Sequence, residues 1–374
     1  EYNAFKRTGL KTVVFTNSLE YIGFHAFDKT ALYDNSSKWE NDVLYIGDCL
    51  IEAKPTLSGS YVIKSNTRLV AGSAFKECSS LTAITIPENV EAIGALAFYD
   101  CASLSKVFWN AKNCKIKSGK NIYGKPFTFG DAPIDSFVFG DKVERIPAYL
   151  CYGLAKLTII TIPENVTSIG TWVFEDCHML TSVIWNAKKC ADFSSSPFYG
   201  IRSQITSFNF GDSVQYIPAS LCYKMDKVQS ISLPASVTSI GESAFQNCSA
   251  ISSLVLGENL AAIGDYAFLG CSSLTSIALG NNVTTIGNKV FKDCSSLASV
   301  ELGNGLTTIG DYTFENCSSL ISIAIPENVK TIGKYAFQNC SAISSLVLGE
   351  NIAMIGYHAF YNCSLLNLVT TNAA

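Results

Sequence analysis

The sequence predicts a repeat solenoid: a β-rich superhelix of short strands and tight helical corners, with about fourteen turns of 23 residues. Three observations carry this expectation. Val228, Ile251, Leu274, Leu297, Leu320, Ile343 and Leu366 fall at a strict spacing of 23 residues. The stretch QNCSAISSLVLGEN stands identically at 246–259 and 338–351, an offset of 92 residues or four periods. The same phase continues upstream through strand starts at Leu10, Ser58, Leu81, Leu104, Ile134, Leu157, Leu180 and Ile205.

Each element of a turn follows from its residues. The opening L-x-x-I-x-I, as in Leu81, Ile84 and Ile86, is a short strand with one apolar face. Pro87, Pro163 or Gly280 then ends the strand, and an Asn two residues on (Asn89, Asn165, Asn328) suits a turn by bonding its own backbone. V-x-x-I-G is a second short extended piece. Its glycine, for example Gly94 or Gly310, either adopts a positive φ or lets neighbouring turns approach closely. A-F-x-x-C closes the turn as a tight corner that points Phe and Cys inward. No single turn can bury this apolar set, so turns stack, with strands about 4.8 Å apart in a parallel sheet. Copying a unit lengthens the stack without disturbing its core, and the identical stretch reads as a duplication of four turns.

One solenoid is expected over 1–374, with a partial terminal turn at 364–374. Segment 28–57, which holds Trp39 and Cys49, is an excursion from the pattern. The turns at 104–133 and 180–204 are longer, and each is followed by an altered turn, FVFGDKVERIPAYLCYG (137–153) and FNFGDSVQYIPASLCYK (208–224). This long-plus-altered pair is therefore itself duplicated. Trp109 and Trp185 fall on the sixth, inward position of the long turns and read as core.

The pattern in IPENVTSIGTWVFEDC (162–177) and LGENLAAIGDYAFLGC (256–271) resembles the BspA-type leucine-rich repeat, and the match runs from about Leu10 to Cys363. The resemblance implies a curved right-handed solenoid, secreted or displayed on the surface of bacteria and some protist parasites. It also implies binding to host proteins, matrix components or other cells, without catalysis or cofactor.

Composition narrows the alternatives. Hydrophobic residues make up 48% of the chain and charged residues 16%, with a mean hydropathy of +0.23, which suits a packed core and not a disordered chain. No apolar run reaches the ~20 residues of a membrane-spanning helix. A net charge of −4 weighs against nucleic acid, which needs a dense basic face. The chain opens at Glu1 without Met or a signal-like stretch, which reads as a processed or truncated protein whose signal or anchor lies elsewhere.

Nine of the fourteen cysteines share one repeat position: Cys78, Cys101, Cys177, Cys248, Cys271, Cys294, Cys317, Cys340 and Cys363. One Cys per turn at a fixed place reads as a column of buried thiols used as small hydrophobes. Without any C-x2-C pair it is poor zinc design. Bridges Cys114–Cys151 and Cys190–Cys222 stay open among the off-column residues. His25 and His358 share a corner position with Tyr266, Tyr312 and Tyr335, and His178 stands beside the cysteine column, so no pair has ligand spacing. No nucleophile elbow, P-loop or dinucleotide fingerprint is present, and the chain reads as a non-enzyme with no metal site.

Two surfaces are binding candidates. Strand positions two, three and five face outward and are mostly Ser and Thr, as at Thr82, Thr158, Thr181, Thr206, Ser252, Thr275 and Ser344. Position five is more apolar than a solvated face needs: Val14, Val62, Phe108, Val138, Ile184, Val255 and Val347 form the candidate concave site, set against the bland reading that β-branched residues simply favour strands. The basic loop at Lys112, Lys115, Lys117, Lys120, Tyr123 and Lys125 is the second candidate, suited to an acidic glycan or protein. A protein partner ranks first. A carbohydrate-binding role in glycan uptake ranks next and would require exposed aromatics spaced along one face. A structural spacer for another domain is the third reading.

Overall fold

In this computed structural model, which describes residues 2–116, 128–130 and 132–371, most turns contribute one strand to each of two kinds of parallel sheet. The chain is a parallel β-solenoid of about fourteen turns, carried in two compact units, Glu1–Leu180 and Thr181–Ala374. The 23-residue period fixes the register: Ser276, Ile277 and Ala278 pair with Ser299, Val300 and Glu301. The second extended piece repeats the arrangement, with Thr308 and Ile309 opposite Thr331 and Ile332. Inward residues such as Leu274, Ile277 and Leu279 are buried, while Thr275, Ser276 and Ala278 between them are exposed.

The turn after the first strand closes as expected: the N–H of Val283 donates to the carbonyl of Gly280, and that of Val90 to Pro87. The asparagine there behaves differently from its sequence reading. Its amide does not bond its own backbone; Asn328 Nδ2 donates to the carbonyl of Asn304 at 2.7 Å and Asn165 Nδ2 to that of Asp141 at 2.8 Å, one turn back. Carbonyls that the turn leaves pointing along the stack are thus satisfied by the next turn's side chain.

The glycine of V-x-x-I-G serves close approach. A Cβ on Gly310 would lie 2.7 Å from the carbonyl oxygen of Gly287, and one on Gly94 would lie 2.2 Å from the nitrogen of Gly72. Positive φ appears instead at two other corner positions, the second and sixth residues after that glycine, for example Lys289 (56°) and Asp293 (62°). The left-handed residues reverse successive peptides. The N–H groups of Lys289, Phe291 and Asp293 donate onward to Asp311, Thr313 and Glu315 of the next turn. Between them, Lys292 and Cys294 close three-residue bonds to Lys289 and Phe291. These corner amides are paired in this way, at the cost of holding side chains where φ is unfavourable.

Inside the second unit, Phe245, Phe268, Phe291, Phe314, Phe337 and Phe360 stack with centroids 5.0–5.5 Å apart. Offset aromatic pairs of this kind add about 0.5–1.5 kcal/mol each beyond burial. In the first unit Phe75, Phe98 and Phe129 form the equivalent column, so the long turn 104–133 returns Phe129 to the place its extra residues displaced. The altered turns set Cys151 and Cys222 in the Phe column and fill the space from the strand side. Trp109 packs on Phe137 with 6.4 Å between centroids, and Trp185 on Phe208 with the same separation. Both indoles are fully buried, as their sixth-position placement implied, and neither Nε1 has a hydrogen-bond partner.

The excursion at 28–57 is itself sheet. Trp39–Glu40, Val43–Ile46 and Cys49–Ala53 form an antiparallel meander, and its last strand pairs in parallel with Leu69–Val70. Arg68 ties this region together. Its guanidinium bonds Asp48 at 2.9 Å and the carbonyl of Leu19 at 2.7 Å, joining the excursion to the first turn.

Candidate functional site

The fifth-position residues divide by unit. In the first unit the register aligns Val62, Thr85, Phe108 and Val138 on four consecutive rungs of one sheet. Val62, Phe108 and Val138 are exposed, Phe108 by 40%, and exposed Ile159 stands on the following strand of the same unit. Val14 is also exposed but lies outside any strand. In the second unit the stripe is interrupted. Ile184 lies opposite Asn209, Val255 opposite Ser232, and Val347 between Ala324 and Thr370. Ile184 and Val347 are half-buried. In the first unit Phe108 and Val138 stand on adjacent rungs, with Val62 one rung beyond Thr85. Neighbouring hydroxyls turn to the backbone: Thr206 Oγ1 and Ser252 Oγ reach carbonyls of the preceding rung at 3.4 Å.

The basic loop is only partly defined. Lys117, Lys120, Tyr123 and Lys125 lie outside the described residues. Lys112 pairs with Glu144 at 2.9 Å, which raises the lysine's proton affinity and, with Asn113, holds the Glu144 carboxyl below its usual range. Lys115 is exposed on a two-residue strand.

All fourteen cysteines are free thiols, so neither Cys114–Cys151 nor Cys190–Cys222 is bridged. The column does more than fill space. Cys101 Sγ donates to the Phe75 carbonyl at 3.1 Å and Cys248 Sγ to the Cys222 carbonyl at 3.0 Å, each one turn back. Burial pushes Cys101, Cys177, Cys248 and Cys294 up to about 12, so these sulfurs stay protonated and unreactive. Among the described residues no group of His, Cys, Asp and Glu is placed to hold a metal ion, and no helix is long and apolar enough to cross a membrane.

A shallow cleft of about 430 Å³ in the second unit runs along the glycine column between Thr308, Thr331 and the Asn288–Asp311–Lys334 row. Its polar wall is engaged within the stack. Asn288 Oδ1 accepts the Asp311 N–H at 2.8 Å, and Asp311 Oδ1 accepts that of Lys334 at 2.9 Å.

An aromatic corner escaped the sequence reading of the strand face. Tyr149 and Trp172, one turn apart in the first unit, stack with centroids 6.4 Å apart and ring planes 23° from parallel. Trp172 is 55% exposed. In the second unit the same corner holds Tyr266, Tyr312, Tyr335 and His358, with the Lys289 ammonium 5.2 Å from the rings of both Tyr266 and Tyr312. The signal in the sequence was the shared corner position of the histidines and tyrosines; Trp172 belongs to the same set.

Two-sheet turns at a fixed 23-residue period, with ladders of Phe, Cys and Asn, define a repeat-protein scaffold of the leucine-rich type. The model of the BspA type leucine rich repeat region matches in six copies, over residues 1–123, 120–252 and 261–373. The chain belongs to that family. A leucine-rich repeat protein from Bacteroides ovatus ATCC 8483 is similar in structure, with a TM-score of 0.54 and 25% identity over 86% of this chain and 88% of that one. A leucine rich cell surface protein from Faecalibacterium prausnitzii A2-165 gives a TM-score of 0.39 and 21% identity over 90% and 94%. A leucine-rich repeat protein from Eubacterium ventriosum ATCC 27560 gives 0.42 and 17% over 84% and 90%. No curated protein sequence matches the chain.

Proposed function

We propose that this protein is a non-catalytic binding and adhesion solenoid, secreted or surface-displayed, whose partner is a protein. The observation that carries the reading is the strip Val62–Phe108–Val138 on one exposed sheet face, flanked by Ile159. Adjacent Thr85 shows that the rung tolerates a polar side chain, so the apolar choice at its neighbours is not forced by strand formation. An aromatic anchor among aliphatic residues, rimmed by Ser and Thr, matches the make-up of protein interface cores. The bacterial surface role implied by the family resemblance fits the same reading.

A screen of the protein against immobilised extracellular-matrix proteins tests it, with a V62S/F108S/V138S variant alongside. The expected result is at least one retained protein whose affinity falls about tenfold or more in the variant, as loss of a central aromatic anchor does. Equal retention by both proteins would exclude the strip as the site.

A further inference from the structure

Two corner positions recur in the left-handed region, and they differ in the residue types they carry. The position before the cysteine holds what that backbone prefers: Asp100, Asp176, Asn247, Asn316 and Asn339, or Gly270. The position two residues after the repeat's glycine, or after the proline in its place, holds Leu96, Ser220, Ser243 and Lys289 in some turns and a ring in others: Tyr149, Trp172, Tyr266, Tyr312, Tyr335 and His358, at φ between 54° and 62°. A bulky ring is disfavoured there relative to Gly or Asn, so the backbone does not select it. Mutual stacking accounts for Tyr312–Tyr335, whose half-buried rings lie 4.9 Å apart. It does not account for Trp172, which stays more than half exposed above Tyr149. A residue held against its local preference and left open to solvent points to a site.

We propose that Trp172, backed by Tyr149, is a stacking platform for a neutral hexose unit of a glycan. The site lies on a corner and is separate from the sheet strip of the proposed protein-binding role. Its surroundings select the ligand class. Tyr152 lies beside Tyr149, with centroids 6.2 Å apart, and its hydroxyl donates to Asp176 Oδ2 at 2.6 Å. Held by that bond, the carboxylate puts a negative charge beside the Tyr152 ring, which disfavours uronate, sulfate and phosphate groups. Flanking Thr171 is exposed and polar and Val173 is buried, so neither chain neighbour extends the apolar surface of the indole. A pyranose presents an apolar C–H face to the indole and hydroxyls to the polar rim.

The test uses laminarin, mannan and hydroxyethyl cellulose in affinity electrophoresis, with iodide quenching of tryptophan fluorescence as second readout. Trp109 and Trp185 are fully buried and Trp39 is half-buried, so quenching reports chiefly on Trp172. At least one polysaccharide is expected to retard the protein and shield it from iodide. W172S loses the retardation, by about tenfold in affinity, while W172Y keeps it. The V62S/F108S/V138S variant binds the polysaccharide like the parent. W172S folds, because Ser220 and Ser243 occupy this position at φ 59° and 56° in other turns. No retardation by any of the three polymers, or equal retardation of W172S, overturns the proposal. A matrix protein whose retention needs Trp172 also overturns it, by assigning the platform to a protein.

Discussion

A cysteine in this chain is a thiol donor at the end of a turn. The interior offers each sulfur of the nine-membered column one backbone carbonyl a turn back, at 3.0–3.5 Å, and no cysteine is bridged to a second sulfur. Burial raises the thiols, so the folded state holds protons that the unfolded chain releases near its ordinary value of about 8.5. Stability from this source is complete below about pH 8.5 and falls as pH rises toward the folded values, about 12 for Cys49, Cys78, Cys101, Cys177, Cys190, Cys248 and Cys294. Each such thiol contributes up to about 1.4 kcal/mol of loss per pH unit in that window. Urea titrations at pH 7.5, 9 and 10 are expected to show a steep fall in midpoint. A midpoint unchanged to pH 10 would mean that the thiols are not held neutral by the fold. Replacing Cys294 by Ser keeps a donor for the Phe268 carbonyl and costs less than Cys294→Ala plus the orphaned acceptor would suggest from volume alone; thermal melts of the two variants check the order.

The element that makes stacking possible is the corner, and its ladders are exchanged between turns instead of within them. Phe291 lies between Phe268 and Phe314 at 5.5 Å on each side, so Phe291→Ala removes two ring contacts and opens a cavity. The expected loss is about 3–5 kcal/mol, read by denaturant unfolding. Gly310→Ala sets a methyl 2.7 Å from the Gly287 carbonyl oxygen and is destabilising by about 1–3 kcal/mol through overpacking. The same change at Gly280, where a Cβ would meet nothing within 4 Å, is close to neutral. Circular dichroism melts of the two glycine variants separate close approach from simple loss of flexibility. Strand direction, inward residues and the Phe column were legible in the sequence because they repeat with the period. The role of Asn was not, since its partner carbonyl sits 24 residues away and becomes a neighbour only after stacking.

For the molecule as a whole, the duplication makes a length prediction. Removing residues 246–337 takes out 92 residues and joins Phe245 to the second copy of QNCSAISSLVLGEN, so every remaining contact type in the second unit has a template. The shortened protein is expected to fold cooperatively, with unfolding enthalpy and denaturant slope reduced roughly in proportion to the turns removed. Loss of a cooperative transition would show that the duplicated turns are not interchangeable.

The period, the apolar phase and the copied stretch determined the architecture from sequence alone, because a 23-residue unit that cannot bury its own core has one solution, which is to stack. Tertiary structure decided what depends on register between turns. It set Phe108 against Val138 although 30 residues separate them, with Val62 two rungs away on the same face, and it put polar or small residues opposite the equivalent residues of the second unit. It also placed positive φ on Tyr149 and Trp172 and not on the recurring glycine of V-x-x-I-G. A sequence lists which residues recur, but which backbone amides must turn toward the next rung is set only when that rung is in place.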